Sequence, residues 1–265
     1  MLELDNIRVS FNKGTVDERI ALDGLSLTVG DGDFVTVIGG NGAGKSTLLN
    51  VISGFLRPDS GRVLVDGTDV TPMPEYRRAA YLGRVWQDPL TGTAPDMTIE
   101  ENLALAMRRG QRHTLKPGLR RAEREEFRAR LSTLGLGLED RLGAKVGTLS
   151  GGQRQAVTLI MATLRRPKLL LLDEHTAALD PKTAQNVMTL TDRIVTDASL
   201  TTLMITHNMK DAIRYGNRLI MLDGGRIALD ISGEEKRNLT VQSLLDLFSQ
   251  KSGSSFDDDK AILAD

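Results

Sequence analysis

The stretch from Gly39 to Thr47 reads Gly-Gly-Asn-Gly-Ala-Gly-Lys-Ser-Thr, and the rest of the chain is interpreted around it. It matches the pattern G-x-x-x-x-G-K-[ST], in which spaced glycines precede a lysine and a hydroxyl residue. A β-branched and aromatic run, 34–38, comes before it, and an apolar helical stretch, 46–52, follows and can end at Gly54. In phosphate-binding loops this pattern follows a strand and begins a helix, so the sequence predicts such a loop here.

Glycines and a helix start suit this loop to phosphate. Because glycine has no side chain, successive backbone N–H groups can turn toward an anion, and the helix N-terminus adds a partial positive charge. Lys45 is expected to reach the β and γ phosphates of a nucleotide. Ser46 is expected to hold Mg²⁺ through its hydroxyl, since magnesium prefers oxygen ligands. The alternative is a glycine-rich turn that matches by chance, and the flanking strand and helix argue against it.

The composition is that of a globular chain with little net charge. It has 265 residues, of which 40% are hydrophobic, a net charge of -1 and no cysteine. The length allows one large domain with an insertion, and the absence of a basic field argues against a nucleic-acid partner. The longest aliphatic run, 169–172, is too short to cross a bilayer, and Glu3, Asp5 and Arg8 argue against an apolar signal sequence. We therefore expect a cytoplasmic location.

The order of patterns along the chain predicts one domain that contains a helical insertion. Short strand signals before the loop indicate an antiparallel edge sheet, and strands alternate with helices again from Gly151, as in α/β folds. The segment between them is charged and helical, and Thr98-Ile99-Glu100-Glu101 forms a capping box. Its Arg and Glu residues are most simply a solvated helix face, with nucleic-acid binding as the minority alternative. We predict a single domain over 1–248, made of an α/β core with its edge sheet (1–87 and 149–230), a helical insertion (88–148) and a C-terminal helix region (231–248), followed by a polar tail (249–265).

Two carboxylates follow a run typical of a buried strand. Four leucines, 169–172, lead directly into Asp173 and Glu174. In doubly wound sheets ligands lie at the carboxyl ends of the strands, so both carboxylates are expected beside the phosphates. Asp173 is predicted to join the Mg²⁺ shell, and Glu174 to orient a water in line with the γ-phosphate. The alternative, a pair of solvated turn carboxylates, is disfavoured by the four aliphatic residues and the nearby phosphate loop.

A second candidate anion site opens the helix that follows the insertion. Leu149-Ser150-Gly151-Gly152-Gln153 places serine and glycine N–H groups at a helix N-terminus. Combined with the two motifs above, this stretch resembles the signature of the ATP-binding cassette ATPases, with 39–47 as Walker A and 169–174 as Walker B. The resemblance extends over residues 1 to about 248. It implies ATP and Mg²⁺ as cofactors and a RecA-like P-loop NTPase core with an antiparallel β edge sheet and a helical subdomain that carries the signature motif.

Two cassettes of this family pair head to tail, so the resemblance implies a second copy of the chain as a partner. The signature of one copy would close over ATP that is held by the phosphate loop of the other. The residues expected to contact the nucleotide are Phe11, Gly39, Asn41, Gly42, Gly44, Lys45, Ser46, Thr47, Ser150, Gly152, Gln153 and Asp180.

The resemblance also implies roles for residues that are ambiguous alone. Gln87 looks like the glutamine that contacts Mg²⁺ and water, Asp180 like the aspartate that crosses the dimer interface, and His207 like the histidine at the γ-phosphate. Alone, Gln87 would be a polar loop residue and His207 an ordinary hydrogen-bonded histidine. Phe11 takes the base-stacking position, although core packing is commoner for a lone aromatic at a strand end. The expected catalytic set is Lys45, Gln87, Glu174 and His207, and the expected metal set is Ser46, Gln87 and Asp173.

Two departures from the family pattern bear on function. His175 stands where many cassettes have proline and is interpreted as a local backbone variation, while His113 is interpreted as a loop histidine. The segment 142–148 lacks the glutamate motif of many exporters, which favours an importer. The chain also resembles a bacterial uptake subgroup, some members of which are associated with the import of aromatic or other amino acids. The stretches that carry this resemblance are 88–89, 98–102, 173–176, 206–209 and 215–218.

The expected function is therefore to energise a membrane importer for an amino acid or similar small solute. Its expected partners are transmembrane permease subunits and a separate substrate-binding protein, and its expected location is the cytoplasmic face of the membrane, peripheral through the permease. The apolar residues Leu90, Met97 and Ile99, which have no obvious core, are predicted to receive a permease loop. The alternative is a soluble cassette ATPase that acts on ribosomes or nucleic acid; such proteins usually carry two cassettes or a long coiled coil.

Overall fold

The computed structural model describes residues 1–111 and 118–252, so His113 lies outside the described residues. Strands and helices alternate through most of this part, as the sequence predicts. The elements in chain order are β1 (Leu2–Phe11), β2 (Arg19–Val29), β3 (Phe34–Gly39), α1 (Lys45–Ser53), β4 (Ser60–Val65), β5 (Thr68–Asp69), α2 (Glu75–Arg78), β6 (Leu82–Val85), α3 (Ile99–Met107), α4 (Arg121–Ser132), α5 (Gly151–Thr163), β7 (Leu169–Asp173), α6 (Pro181–Asp197), β8 (Thr202–Ile205), α7 (Met209–Arg214), β9 (Arg218–Asp223), β10 (Arg226–Ser232), α8 (Gly233–Arg237) and α9 (Val241–Ser252).

The larger sheet is the centre of the P-loop core. Its strand order is β10-β9-β3-β8-β7-β6, and all neighbours are parallel except the β9–β10 hairpin at one edge. Strands β3 and β8 are buried along their whole length, and β7 is buried up to its last residue, which explains their continuous apolar sequence. The carboxyl ends of β3, β7 and β8 therefore meet at one edge of the sheet.

The smaller sheet is antiparallel, as predicted from the first 38 residues. Its order is β2-β1-β4-β5, so the hairpin after α1 joins the strands that precede the phosphate loop. Along β1 and β2, buried leucine and valine side chains alternate with more exposed residues, which is the pattern of a sheet with one solvated face.

Helix α1 is fixed at its C-terminal end by a glycine and an arginine. Gly54 closes it in the left-handed conformation, with φ of 84°, and its N–H bonds to the carbonyls of Asn50 and Val51. Beyond it, the buried guanidinium of Arg78 donates to the carbonyls of Val51 and Ile52 at 2.7 and 2.9 Å. A cation at a helix C-terminus is favourable, so Arg78 stabilises α1, the helix that follows the phosphate loop.

The helical insertion has a core of its own, built from α3, α4 and α5 around the buried Phe127 and Leu131. Thr98 caps α3 through the predicted box with Glu101. Ile99 is fully buried in this core, so the prediction that it receives a permease loop was wrong. It occupies the first position of α3, where the sequence pattern of one short helix could not tell a buried face from an exposed one.

Helix α9 extends the C-terminal region further than the sequence indicated. It runs through Ser252, whereas the polar tail was predicted to begin at residue 249. Residues 253–265, the rest of that predicted tail, lie outside the described residues. None of the helices in the described ranges has both the length and the apolar character that crossing a membrane requires.

Because the insertion has its own core, we expect alanine substitutions at a buried and at an exposed phenylalanine to differ in their effect on stability. Replacing the buried Phe127 with alanine should lower the free energy of unfolding by about 3–5 kcal/mol, because it removes a buried ring and leaves a cavity. The matched change Phe55→Ala should have little effect, because Phe55 is 67% exposed. Urea unfolding of both variants gives the comparison, and equal losses would contradict this account of the core.

Candidate nucleotide site

The phosphate loop passes through spaces that exclude side chains. A Cβ atom on Gly39 would lie 2.4 Å from the carbonyl oxygen of Leu222, and one on Gly44 would lie 2.5 Å from that of Ala21. Gly44 also has φ of 103°, and it directly precedes α1. Glycine is therefore required at both positions by packing, which agrees with their place in the predicted motif.

Lys45 begins α1 and points back into the loop. Its side chain is buried, and Nζ donates to the carbonyl oxygens of Gly39 and Gly40 at 2.7 and 3.0 Å. These bonds hold the Lys45 ammonium group inside the phosphate loop. The loop therefore combines a fixed positive charge with a helix N-terminus, which is a binding arrangement for a phosphate chain.

A cavity of about 340 Å³ opens over the loop. Three residues of the smaller sheet line it: Phe11 at the end of β1, and Arg19 and Ala21 near the start of β2. Arg19 donates from Nη2 to the carbonyl of Gly42 at 3.1 Å. Sequence reasoning missed Arg19, because an arginine at a strand start carries no motif. The full lining is Phe11, Arg19, Ala21, Asn41, Gly42, Ala43, Gly44, Lys45, Ser46, Thr47, Glu174 and His207.

Glu174 and His207 meet at the wall of this cavity. Strands β7 and β8 are parallel neighbours, and the N–H of Glu174 donates to the carbonyl of Ile205 at 3.1 Å. Glu174 has φ of 46°, a left-handed conformation that is uncommon for residues with side chains. Its Oε1 lies 2.5 Å from Nε2 of His207. The two residues are therefore joined, at the edge where ligands of such sheets bind.

Asp173 lies beside the cavity instead of lining it. Its Oδ2 pairs with Nη2 of Arg84 at 2.9 Å, and both side chains are largely buried. Gln87, exposed beyond β6, leaves the sheet at the same edge, because Val85 pairs with Leu172 in the parallel ladder. Within the described residues, neither Asp173 nor Gln87 is among the residues that line the cavity.

The oxygen donors near the loop suit magnesium better than a transition metal. Among the described residues, no three His, Cys, Asp or Glu side chains are grouped so that they could hold a metal ion. Mg²⁺ does not need such a group, because it is commonly held by one or two protein oxygens, phosphate oxygens and waters. The hydroxyl of Ser46 and the carboxylate of Asp173 are donors of that kind.

The signature segment lies over a different cavity, of about 270 Å³. Ser150 caps α5 in a reciprocal box with Gln153, whose N–H reaches Ser150 Oγ at 3.3 Å. A Cβ atom on Gly152 would lie 2.2 Å from the Thr183 methyl group, so glycine lets α5 approach α6. Asp180 caps α6 through the N–H of Thr183. The described chain therefore presents its two candidate anion sites on separate surfaces.

His175 is a structural residue with a buried ring. Its Nε2 lies 3.0 Å from Oγ1 of Thr191 on α6, and that hydroxyl donates to the carbonyl of Val187. Burial lowers the pKa of His175 to about 4, so the ring is neutral at physiological pH. The sequence interpretation, a local backbone variation, did not anticipate this side-chain bond to α6.

The parallel sheet, the phosphate loop on α1 and the acidic residues after β7 together define a P-loop nucleotide-binding ATPase. The profile of the family described as "ABC transporter" matches residues 22–177. The chain belongs to this family, and it is an ATP-binding and ATP-hydrolysing subunit.

Curated relatives include transport proteins with several cargoes. The tyrosine transport ATP-binding protein of Clostridioides difficile (strain R20291) is 48% identical over 94% of this chain and 98% of its own length. The methionine import ATP-binding protein MetN of Rhizobium johnstonii is 38% identical, over 83% of this chain and 59% of that protein. The thiamine import ATP-binding protein ThiQ of Escherichia coli (strain K12) is 37% identical, over 77% of this chain and 83% of that protein.

Solved cassettes share the fold over most of their length. A dimeric cassette in a post-hydrolysis state with ADP and Pi has a TM-score of 0.75 and 28% identity, over 88% of this chain and 98% of that chain. A nucleotide-free cassette has a TM-score of 0.74 and 30% identity, over 93% and 95% of the two chains. The RecA-like P-loop core predicted from the sequence is thus confirmed.

The buried His175 predicts a specific loss of stability in acid. An unfolded histidine titrates near pH 6.5, so between about pH 6.5 and 4 the unfolded chain holds a proton that the folded chain lacks. The contribution of His175 is fully present above this range and falls by about 3 kcal/mol across it.

The variant His175→Gln, which cannot titrate, should lose less stability than the parent as the pH falls from 6.5 to 4. Denaturant unfolding at several pH values measures the difference between the two slopes. Parallel slopes for the two proteins would contradict the assignment.

Proposed function

We propose that this chain energises a membrane importer by hydrolysing ATP in a head-to-tail pair with a second copy. The observation that carries the proposal is the 340 Å³ cavity, in which the phosphate loop faces the joined Glu174 and His207. The tyrosine transport relative, matched over nearly its whole length, supports an amino acid as the transported solute. The methionine import relative supports the same class of cargo.

The loop and the smaller sheet would hold the nucleotide between them. The N–H groups of 41–47 and the Lys45 ammonium would contact the phosphates, because they are the donors that line the cavity. Phe11 would stack on the base, since its ring is partly exposed at the cavity rim. Arg19 adds a cation on the same side.

The oxygen donors of Ser46, Asp173 and Gln87 would form the protein part of a magnesium site. Magnesium, when bound, neutralises charge on the β and γ phosphates. Ser46 is at the second position of α1, and Asp173 ends β7, so both are carried by regular elements of the core. Gln87 lies on the loop after β6, where a shift of the insertion can move it.

Glu174 would act as the general base. Its carboxylate would accept the proton of a water held between it and the γ-phosphate, while the ring of His207 holds the same carboxylate through the 2.5 Å contact. The left-handed backbone at Glu174 turns the residue out of the strand direction, which fits a side chain aimed at the cavity.

The signature residues Ser150, Gly152 and Gln153 would complete the site of the other copy. Their position supports this arrangement, because the cavity they line shares no residue with the cavity at the phosphate loop of their own chain. Asp180, at the start of α6, would cross the interface between the copies. The dimeric cassette solved with ADP and Pi supports the pairing.

The membrane partners would be permease subunits, supplied with solute by a separate binding protein, and the chain would lie at the cytoplasmic face of the membrane. Leu90 supports the docking of a permease loop, because it is 44% exposed in the segment after Gln87. Met97 is half-buried nearby and belongs to the same candidate surface.

The general-base role predicts the behaviour of Glu174→Gln. Glutamine keeps the size and hydrogen-bonding reach of the side chain but cannot accept the water proton, so turnover should fall by about 10² to 10⁴-fold. Nucleotide binding should persist, and the variant should accumulate as an ATP-bound dimer, because one negative charge near the γ-phosphate is removed. ATPase rates and size-exclusion elution with MgATP measure the two effects.

Lys45→Ala is the comparison, and it should fail earlier, at tight nucleotide binding. Near-parental turnover in Glu174→Gln would remove Glu174 from the role of base. An inactive variant that stays monomeric in ATP would contradict only the trapped dimer.

The docking role predicts that Leu90→Glu uncouples the chain from its membrane partner. A charge placed on an exposed apolar contact should reduce co-purification with the permease by weakening the interface, while MgATP binding and thermal stability stay parental. Val16→Glu, at a fully exposed position on the β1–β2 loop, is the matched control. Loss of folding in Leu90→Glu would show that Leu90 is ordinary core.

A further inference from the structure

Arg84, near the end of β6, joins three elements around the candidate magnesium site. Its side chain is only 10% exposed. Nη2 donates to Oδ2 of Asp173 on β7 at 2.9 Å and to Oδ1 of Asn50 on α1 at 3.1 Å. Nη1 donates to Oγ of Ser53, also on α1, at 3.0 Å. One guanidinium therefore connects β7, the strand that ends at Asp173, to α1, the helix that follows the phosphate loop.

The same guanidinium reaches the segment that leads to Gln87. Its central carbon lies 3.4 Å from the centroid of the Trp86 ring, within the range of a cation–π contact. The carbonyl of Trp86 in turn accepts from Nε2 of Gln155 on α5, at 3.1 Å. Arg84 thus also contacts the residue before Gln87, which is linked to the helix that begins at the signature.

Stability alone is a weak reason for this arrangement. Burial lowers the pKa of the Arg84 guanidinium, and the hydrogen bond and charge of Asp173 oppose that effect. Buried ion pairs often contribute no more to stability than apolar side chains of the same size, because both charges lose their hydration. The Nε of Arg84 is buried and has no hydrogen-bond partner among the described residues, which adds to the cost. A functional constraint explains the arginine better.

We propose that Arg84 is a positioning residue that holds the Asp173 carboxylate for Mg²⁺. The inference rests on the proposed metal role of Asp173. The guanidinium binds only Oδ2, which leaves Oδ1 for the metal or a metal-bound water. Its bonds to Asn50 and Ser53 fix the carboxylate relative to α1, the helix that carries Ser46. The two donors from different elements are thereby kept at a constant separation.

An unanchored Asp173 would lose this alignment. Its side chain could rotate at the strand end, and Mg²⁺ demands nearly ideal octahedral geometry. Loss of an outer partner that orients a metal ligand typically costs about 10–100-fold in metal affinity or activity. Loss of Arg84 is therefore expected to reduce the increase in nucleotide affinity that Mg²⁺ causes. Nucleotide binding without the metal should be unchanged, because it depends on the phosphate loop.

The test compares binding of a fluorescent ATP analogue in Mg²⁺ and in EDTA, and the ratio of the two dissociation constants is the metal-linked gain. In Arg84→Met this gain should fall by about 10–100-fold, while binding in EDTA stays parental. Arg84→Lys keeps the charge but lacks the planar fork whose two terminal nitrogens reach the three partners, so it should show an intermediate gain. Arg109→Met is the matched control, because Arg109 is a partly buried arginine whose Nη2 donates to main-chain carbonyls, those of Ala162 on α5 and Arg165 just after it.

Trp86 provides a second readout, since it is the only tryptophan of the chain. In the parent and in Arg109→Met, adding Mg²⁺ to the ATP-bound protein should change its emission, because Asp173 and Trp86 share Arg84. In Arg84→Met this change should be lost.

Each outcome decides the inference. A parental metal-linked gain in Arg84→Met would overturn it, and so would an equal loss in Arg109→Met. If Arg84→Met does not fold, a fully parental gain in Arg84→Lys would overturn it. A parent protein that fails to bind the analogue in either condition would instead contradict the proposed function.

Discussion

The structure depends on the narrow space through which the phosphate loop leaves β3. Gly39 passes against the carbonyl of Leu222 on β9, and Gly44 passes against the carbonyl of Ala21 on β2. The loop is therefore held between the end of the parallel sheet and the antiparallel sheet, and a side chain at either glycine would push them apart. This close packing fixes the start of α1, and with it the positions of Lys45 and Ser46.

The sequence predicted the parts of the site that depend on local pattern. The phosphate loop, the strand that leads into Asp173 and the helix start after Ser150 each depend on a few neighbouring residues, and all three have the expected backbone. Arg84 and Arg19 were missed, because their importance comes from side chains that meet across different elements. The exposure of Ile99 was misjudged for a similar reason, since its burial depends on α4 and α5 packing against it.

The two candidate anion sites line separate cavities, and this separation supports the proposal that a second copy completes the site. The cavity at the phosphate loop is lined by Lys45, Glu174 and His207, whereas Ser150 lines a different cavity. The network around Arg84 reaches from Asp173 to α5 through Trp86. It therefore connects the strand that ends at Asp173 to the helix that Ser150 caps.

The central claim is that the hydrolytic site is completed only by a second copy of the chain. The most direct measurement is the specific ATPase activity over a range of protein concentrations in which sedimentation shows monomers giving way to dimers. The account predicts that activity per mole of protein rises with concentration and follows the dimer fraction. Activity per mole that stays constant throughout the monomer range would contradict it, because one chain would then contain the complete site.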